Sequence, residues 1–378
     1  MVTSVGCAND DGGCSQGAYD REKSSSEQEN SFPITASVNI GGVPIQLAGE
    51  NLTDALYFSD GTRQIDRDFP FMLINSASAT FPYQGILGLS PNIDDGDILT
   101  FGVPIPLHLK NSGKIQTALV SLDMWQDTSK DSFITFGGYD TQRFRNKTDL
   151  NLNWFTVSTK TNRFAWTREV KNIYYGEKSF DDGFYNTGTF DSFEGGLHLP
   201  QVEWNKIFTE IQANLTAADK TYLQCNQTSM QCMFSGQCNA HIGDWKSIDL
   251  NFEKERSYIV TPQNYLIDFT DKSGKNWCNV ALYGNLVNAT EYILGDVFMQ
   301  NMYVILDYEN SRFAINGNYR VVTPTEDKPV RPEEQSSSVW IIIAIVLGVF
   351  VLVAAIGFVI VRMRNKRLQS NLSKYETL

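Results

Sequence analysis

The sequence predicts a mainly β protein of two lobes followed by one membrane-crossing helix. Three observations carry this. Aromatic residues are plentiful, and glycine and proline punctuate short alternating runs with few long amphipathic helical stretches between them. At 378 residues the chain is too long for one ordinary domain and long enough for two cores of typical size. From Val339 to Val361 it carries no charge, and at a rise of ~1.5 Å per residue such a stretch crosses a hydrocarbon layer of about 30 Å.

The β pattern is plainest near the end of the second lobe. Met302-Tyr303-Val304-Ile305-Leu306-Asp307, the turn Glu309-Asn310-Ser311 and Arg312-Phe313-Ala314-Ile315 predict a hairpin. Helix is expected only locally, around Val202 to Leu215, where Val202, Ile207, Ile211 and Leu215 have helical spacing. Two segments far apart echo each other, Gly85-Ile86-Leu87-Gly88-Leu89 and Ile293-Leu294-Gly295-Asp296. Each is an aliphatic pair followed by glycine, and each lies downstream of strand-like chain. Glycine in such a place commonly marks close backbone approach.

Around the first copy the chain reads Gln84 to Leu89, then Phe133-Ile134-Thr135-Phe136-Gly137-Gly138-Tyr139-Asp140. Asn153-Trp154-Phe155-Thr156-Val157, Trp166 and Ile173-Tyr174-Tyr175-Gly176 follow. Tyr258 to Pro262, with Tyr265 and Ile267, then leads to Ile293-Leu294-Gly295-Asp296-Val297-Phe298 and the closing hairpin. In order and rough spacing these segments, over about residues 1 to 318, resemble the pepsin-like aspartic proteases (peptidase A1 type). The resemblance implies a bilobal double β-barrel, with an incomplete N-terminal lobe at 1–150 and a C-terminal lobe at 151–320. It also suggests a small disulfide loop from Cys7 to Cys14, a local pair Cys225 to Cys232 and a longer closure ending at Cys278. The six cysteines alone leave connectivity open.

In that family two carboxylates, one from each lobe, share a proton so that one acts as acid and the other as base toward a bound water. Each begins Asp-Thr/Ser-Gly, where the hydroxyl braces the loop and glycine lets backbone pass close. Gly188 to Trp204 lies where the second motif belongs: Asp191 is the candidate catalytic acid and Ser192 the candidate bracing hydroxyl, with Phe193 in the glycine position. A second register, Asn186-Thr187-Gly188-Thr189, keeps Thr-Gly-Thr but has an amide for the acid; the spacing to Leu199-Pro200 favours Asp191. The family's first aspartate precedes a loop like Cys7 to Cys14, and none of the six residues before Cys7 is acidic, so the first-lobe Asp is expected to be absent. The flap is expected to be missing too. Ser31-Phe32-Pro33-Ile34-Thr35 resembles the strand entering it and Ser37 to Val43 the chain beyond, whereas a hairpin takes on the order of ten residues.

Residues 321–338 are Pro-, Glu- and Ser-rich and read as a stalk. Arg362, Arg364, Lys366 and Arg367 follow the apolar span at once, which sets a single-pass type I orientation with a cytoplasmic tail at 362–378. Tyr375-Glu376-Thr377-Leu378 is similar to tyrosine-based signals read by sorting adaptors. Five Asn-x-Thr sequons, at Asn51, Asn146, Asn214, Asn226 and Asn288, together with paired cysteines favour a secretory, endosomal or extracellular location for the ectodomain. Met1 begins no signal peptide, so the chain is expected to be a truncated or mis-spliced form of a longer product.

The formal charge is −12, and the negative surface opposes phosphate, so no nucleic-acid partner is expected. No Gly-x-Ser-x-Gly, His-Glu-x-x-His or phosphate-cradling glycine loop occurs, and His108, His198 and His241 form no ligand cluster. No cofactor or metal is expected. By resemblance the chain is an aspartic-type endopeptidase whose partner is an extended polypeptide, with membrane lipid around Val339 to Val361. As written it is expected not to cleave peptides, because a lone Asp near its reference pKa of about 4 is a poor base at acidic pH. The alternative is a non-catalytic peptide- or protein-binding homologue at the cell surface or in endosomes.

Overall fold

The computed structural model describes residues 2–3, 19–28, 32–40, 43–58, 63–79, 85–91, 103–127, 129–158, 165–180, 186–192, 194–215, 222–226, 228–252, 255–286 and 290–322. The chain divides into Met1–Pro329 and Val330–Leu378. The second unit lies outside the described residues, and with it Val339 to Val361, the tail and Tyr375 to Leu378; so do stalk residues 323–338 and the pair Cys7 and Cys14. Among the described residues no helix is long and apolar enough to cross a membrane.

The described chain is mainly β, as its punctuation predicted, and its strands form five sheets. In the first, Val2–Thr3, Arg63–Ala77, Val43–Phe58 and Pro33–Ile40 lie in that order. Pro33–Ile40 is one continuous strand running through both segments that flank the expected flap position. Ile40 stands opposite Val43. A register shift falls at Ala48/Gly49, and a Cβ on Gly49 would lie 1.9 Å from the Leu73 carbonyl oxygen, so only glycine fits.

A second sheet joins distant parts of the sequence: Phe133–Phe136, Leu119–Asp123, Tyr303–Asp307, Arg312–Asn316 and Asn153–Thr156, all antiparallel. Its centre is the hairpin expected from sequence, with Tyr303 opposite Asn316 and Asp307 opposite Arg312. The turn closes because Asp307 Oδ1 accepts from the backbone N–H groups of Glu309 and Asn310.

The helix Gln201–Asn214 forms where periodicity predicted it, with its buried face shifted. Trp204, Ile207, Phe208 and Ile211 face the core while Val202 is 46% exposed. Trp204 stacks on Phe208 at 4.5 Å and its Nε1 donates to the Leu282 carbonyl at 3.1 Å. Aromatic rings knit the core: Phe190 meets Phe313 edge-on at 4.8 Å and Phe298 at 5.9 Å, and Phe155 stacks on Phe313 at 5.3 Å. Among the described residues two disulfides pair four of the six cysteines. Cys225–Cys232 crosses the hairpin Leu223–Asn226/Gln231–Ser235, and Cys238–Cys278 closes the longer loop.

Candidate active site

The site is built on a sheet of Leu282–Gly284, Leu197–Leu199, Glu291–Leu294, Asn186–Phe190 and Thr167–Val170, in that order. Asn186–Phe190 and Glu291–Leu294 run parallel, with Phe190 opposite Leu294. The chain returns as Leu197–Leu199 on the far flank of Glu291–Leu294, antiparallel to it. Glu291–Leu294 is thus clasped between the two arms of one loop. Asp191 directly follows Phe190, whose partner Leu294 directly precedes Gly295.

Backbone bonds fix the loop. The Asp191 N–H donates to the Leu294 carbonyl at 3.3 Å, Glu194 N–H to the Asp191 carbonyl at 3.3 Å, and Asp296 N–H to the Glu194 carbonyl at 3.1 Å. Gly196 N–H donates to the Asp296 carboxylate. A Cβ on Gly295 would lie 2.3 Å from the carbonyl oxygens of both Glu194 and Gly196, so the aliphatic-aliphatic-Gly echo here marks the close approach its sequence implied. Gly196, at φ +91°, sits against the Tyr283 ring and the Ala281 carbonyl.

The first copy of the echo is different. Ile86 packs with Ile45, Leu47, Met72 and Ile74, and the Leu89 carbonyl accepts from Trp166 Nε1 at 2.6 Å and the Tyr308 hydroxyl at 2.7 Å. Residues 86–91 are not in a strand, and a Cβ on Gly88 would meet nothing within 4 Å. The matching letters do not make matching environments.

Asp191 is half-buried and Ser192 exposed, while Phe193 lies outside the described residues. In the other register, Asn186 is buried and its Nδ2 donates to the Glu203 carboxylate at 2.8 Å, an anchor between strand and helix. Sequence reasoning missed the titratable groups that surround the loop. Glu194 is buried, and its carboxylate lies 3.6 Å from His198 Nε2, which also lies 3.3 Å from the Gly195 carbonyl. Burial pulls the His198 pKa below the ordinary value, opposed by the Gly195 contact and by the charges of Asp191 and Asp296. The Tyr283 ring meets His198 edge-on at 5.2 Å, and burial raises the Tyr283 hydroxyl pKa although Asn279 Nδ2 donates to it. Asp296 carried a signal, since it directly follows the glycine of the echo; Glu194 and His198 acquire meaning only once the loop is folded.

Among the described residues of the first 150, three buried carboxylates are committed elsewhere. Asp54 accepts from the Tyr19 hydroxyl at 2.6 Å, Ser24 at 2.7 Å and Ser26 at 2.5 Å. Burial pushes its pKa up, and the three donations outweigh that and leave it below the usual carboxylate range. Asp66 meets His108 Nε2, and Asp123 takes Arg143 at 3.0 Å and Arg145 at 2.6 Å. Among the described residues no group of three or more His, Cys, Asp or Glu side chains is arranged to hold a metal ion.

The family model described as eukaryotic aspartyl protease matches residues 1–316. The chain is similar to a probable aspartic-type endopeptidase CTSD of Arthroderma otae, 23% identical over 295 residues that cover 75% of this chain and 67% of that protein. It is also similar to plasmepsin VII of Plasmodium berghei, 24% identical with 80% and 65% covered, and to pregnancy-associated glycoprotein 1 of Ovis aries, 25% identical with 70% and 66% covered. The chain therefore spans about two thirds of the length of these curated relatives.

Proposed function

The chain belongs to the eukaryotic aspartyl protease family, and from that premise we propose that it derives from a membrane-anchored aspartic endopeptidase but does not, as this 378-residue polypeptide, cleave peptides. The observation that supports the lineage is the parallel pair Asn186–Phe190/Glu291–Leu294, at whose end Asp191 directly follows Phe190 and Gly295 directly follows its partner Leu294. The chemistry of this family needs a second carboxylate to share a proton with the first. No Asp-Thr-Gly or Asp-Ser-Gly occurs in the sequence, and Asp54, Asp66 and Asp123 are each held by local donors.

Two lobes at 1–150 and 151–320 complete this reading, with Asp191 and Ser192 as the remaining half of the machinery and an extended polypeptide as the ligand. The anchor is Val339 to Val361, with the ectodomain lumenal or extracellular and Tyr375 to Leu378 offered to a sorting adaptor. Apolar length and the basic residues that follow support this topology. The second reading is a non-catalytic peptide- or protein-binding homologue at the cell surface or in endosomes, supported by the lack of any Asp-Thr-Gly or Asp-Ser-Gly and by Phe193 in the glycine position after Asp191-Ser192.

Incubation of the purified chain with denatured protein from about pH 3 to 7, the range in which such a dyad works, is expected to give no cleavage. Pepstatin-sensitive proteolysis lost in Asp191→Asn would overturn the inactive reading. Saturable binding of an extended peptide without proteolysis would favour the binder.

A further inference from the structure

Four of the five sequon asparagines lie among the described residues, and the fold treats them differently. Asn226 is exposed, in the last position of Leu223–Asn226 before the turn to Gln231–Ser235. Its Oδ1 accepts from Thr228 N–H at 2.9 Å and Ser229 N–H at 3.1 Å. Asn146 repeats the arrangement: its Oδ1 accepts from Thr148 N–H at 3.1 Å, Thr148 Oγ1 at 2.7 Å and Asp149 N–H at 3.3 Å. In both, the backbone takes the amide oxygen and leaves the amide nitrogen for substitution.

The other two are less free. Asn214 Nδ2 donates to the Glu210 carbonyl at 2.8 Å and to Glu210 Oε1 at 3.0 Å, closing the last turn of its helix. Asn51, half-buried like Asn146, lies inside the strand Val43–Phe58 rather than in a turn: it stands opposite Met72 on one side, and on the other its backbone N–H donates to the Phe32 carbonyl at 3.1 Å.

We propose that, of the four sequon asparagines among the described residues, Asn226 and Asn146 are the preferred N-glycosylation sites. The inference rests on the lumenal reading above. The donor class is an oligosaccharide on a lipid pyrophosphate. A bond forms between the asparagine Nδ2 and the sugar C1, the C1–O bond to pyrophosphate breaks, the lipid pyrophosphate leaves with that electron pair, and Nδ2 gives up one proton. One N–H remains. The folded hairpin at Asn226 and the turn at Asn146 keep every bond they had, because those bonds use Oδ1. At Asn214 a single N–H is left for two acceptors. The Asn226 glycan also stands on an edge strand of its four-stranded sheet, where a bulky polar group opposes edge-to-edge pairing.

The test is to express the full chain behind a cleavable signal peptide in eukaryotic cells, release glycans enzymatically in heavy-oxygen water, and map the labelled aspartates by peptide mass spectrometry. Labels at residues 226 and 146, with lower occupancy at Asn214, are expected. Thr228→Ala, whose hydroxyl is not used by the turn bonds, removes one glycan from the intact mass while Cys225–Cys232 still forms. An unlabelled Asn226 or Asn146 in protein whose Cys225–Cys232 bridge has formed overturns the proposal, as does occupancy at Asn214 equal to or above that at Asn226. If the chain without the added signal peptide stays unglycosylated and reduced while the fused chain shows the expected pattern, the location assigned above fails, and what stands is the order of preference among the sites once the chain is in the lumen.

Discussion

Replacing Gly295 with alanine tests whether the loop at Asp191 is held by close backbone approach. The new Cβ falls 2.3 Å from two carbonyl oxygens, those of Glu194 and Gly196, which is over 1 Å inside the roughly 3.5 Å at which such atoms pack. Both obstacles are backbone, so no rotamer change relieves them. Residues 194–196 must retreat, and that pulls the Asp296 N–H from Glu194 and the Gly196 N–H from the Asp296 carboxylate. Forced overpacking costs about 1–3 kcal/mol, and two weakened bonds, one of them to a charge, add about 2–3 kcal/mol. Gly295→Ala is therefore expected to lose roughly 3–6 kcal/mol, a large part of the 5–15 kcal/mol of an ordinary domain. The control is the other glycine of the echo: Gly88→Ala, with open space around its Cβ, is expected to stay within about 0.5 kcal/mol of the parent. Urea unfolding followed by tryptophan fluorescence reads both. A Gly295→Ala loss no greater than that of Gly88→Ala would refute the reasoning.

Three further outcomes are expected. Burial holds the His198 pKa below its unfolded value, so its neutral form contributes stability that is complete above about pH 6.5 and lost as pH falls through the folded value; His198→Gln should flatten the parent's decline in stability on acidification below that pH, and an unchanged slope would exclude His198 as its source. Asp123→Asn leaves the buried Arg145 guanidinium beside a neutral amide, a change expected to cost about 3 kcal/mol or more; chemical denaturation checks it, and a loss below about 0.5 kcal/mol would mean that the pair is solvated like a surface bridge. The Cys238–Cys278 and Cys225–Cys232 bridges span 40 and 7 residues, for which chain entropy gives about 4 and about 2.5 kcal/mol; paired alanine variants compared in urea should reproduce that order, and a reversal would show that strain or packing outweighs loop closure.

The sequence was most legible where one local pattern determines one local structure. The hairpin through Asp307 and Arg312 follows from two apolar runs around a turn whose Asp can accept backbone N–H groups, and the structure adds its register. The helix Gln201–Asn214 was legible in position but not in phase: Val202 matched the spacing, yet Trp204 and Phe208 offer more apolar area and turn the helix toward themselves. Legibility fell where meaning depends on what is brought alongside. Gly88 and Gly295 follow similar aliphatic pairs, but only the second has two carbonyls pressed against it. Asn186, an alternative for the acid position, proves to be tied to Glu203, seventeen residues later, a partnership invisible before strand and helix dock.

The groups gathered around Asp191 bear on its chemistry by their sign. A proton-sharing pair works because a second carboxylate at contact distance disfavours double ionisation, leaving one member protonated as the acid. His198 does not supply that second carboxylate. Burial pulls its pKa below the ordinary value, opposed by the Gly195 contact and by the charges of Asp191 and Asp296, so the imidazole beside the loop is held toward its neutral form. Gly196, Gly295 and the Asp296 bonds hold the backbone next to Asp191. The proposed lineage rests on that backbone arrangement, and the proposed loss of cleavage rests on the sequence, in which no Asp-Thr-Gly or Asp-Ser-Gly occurs.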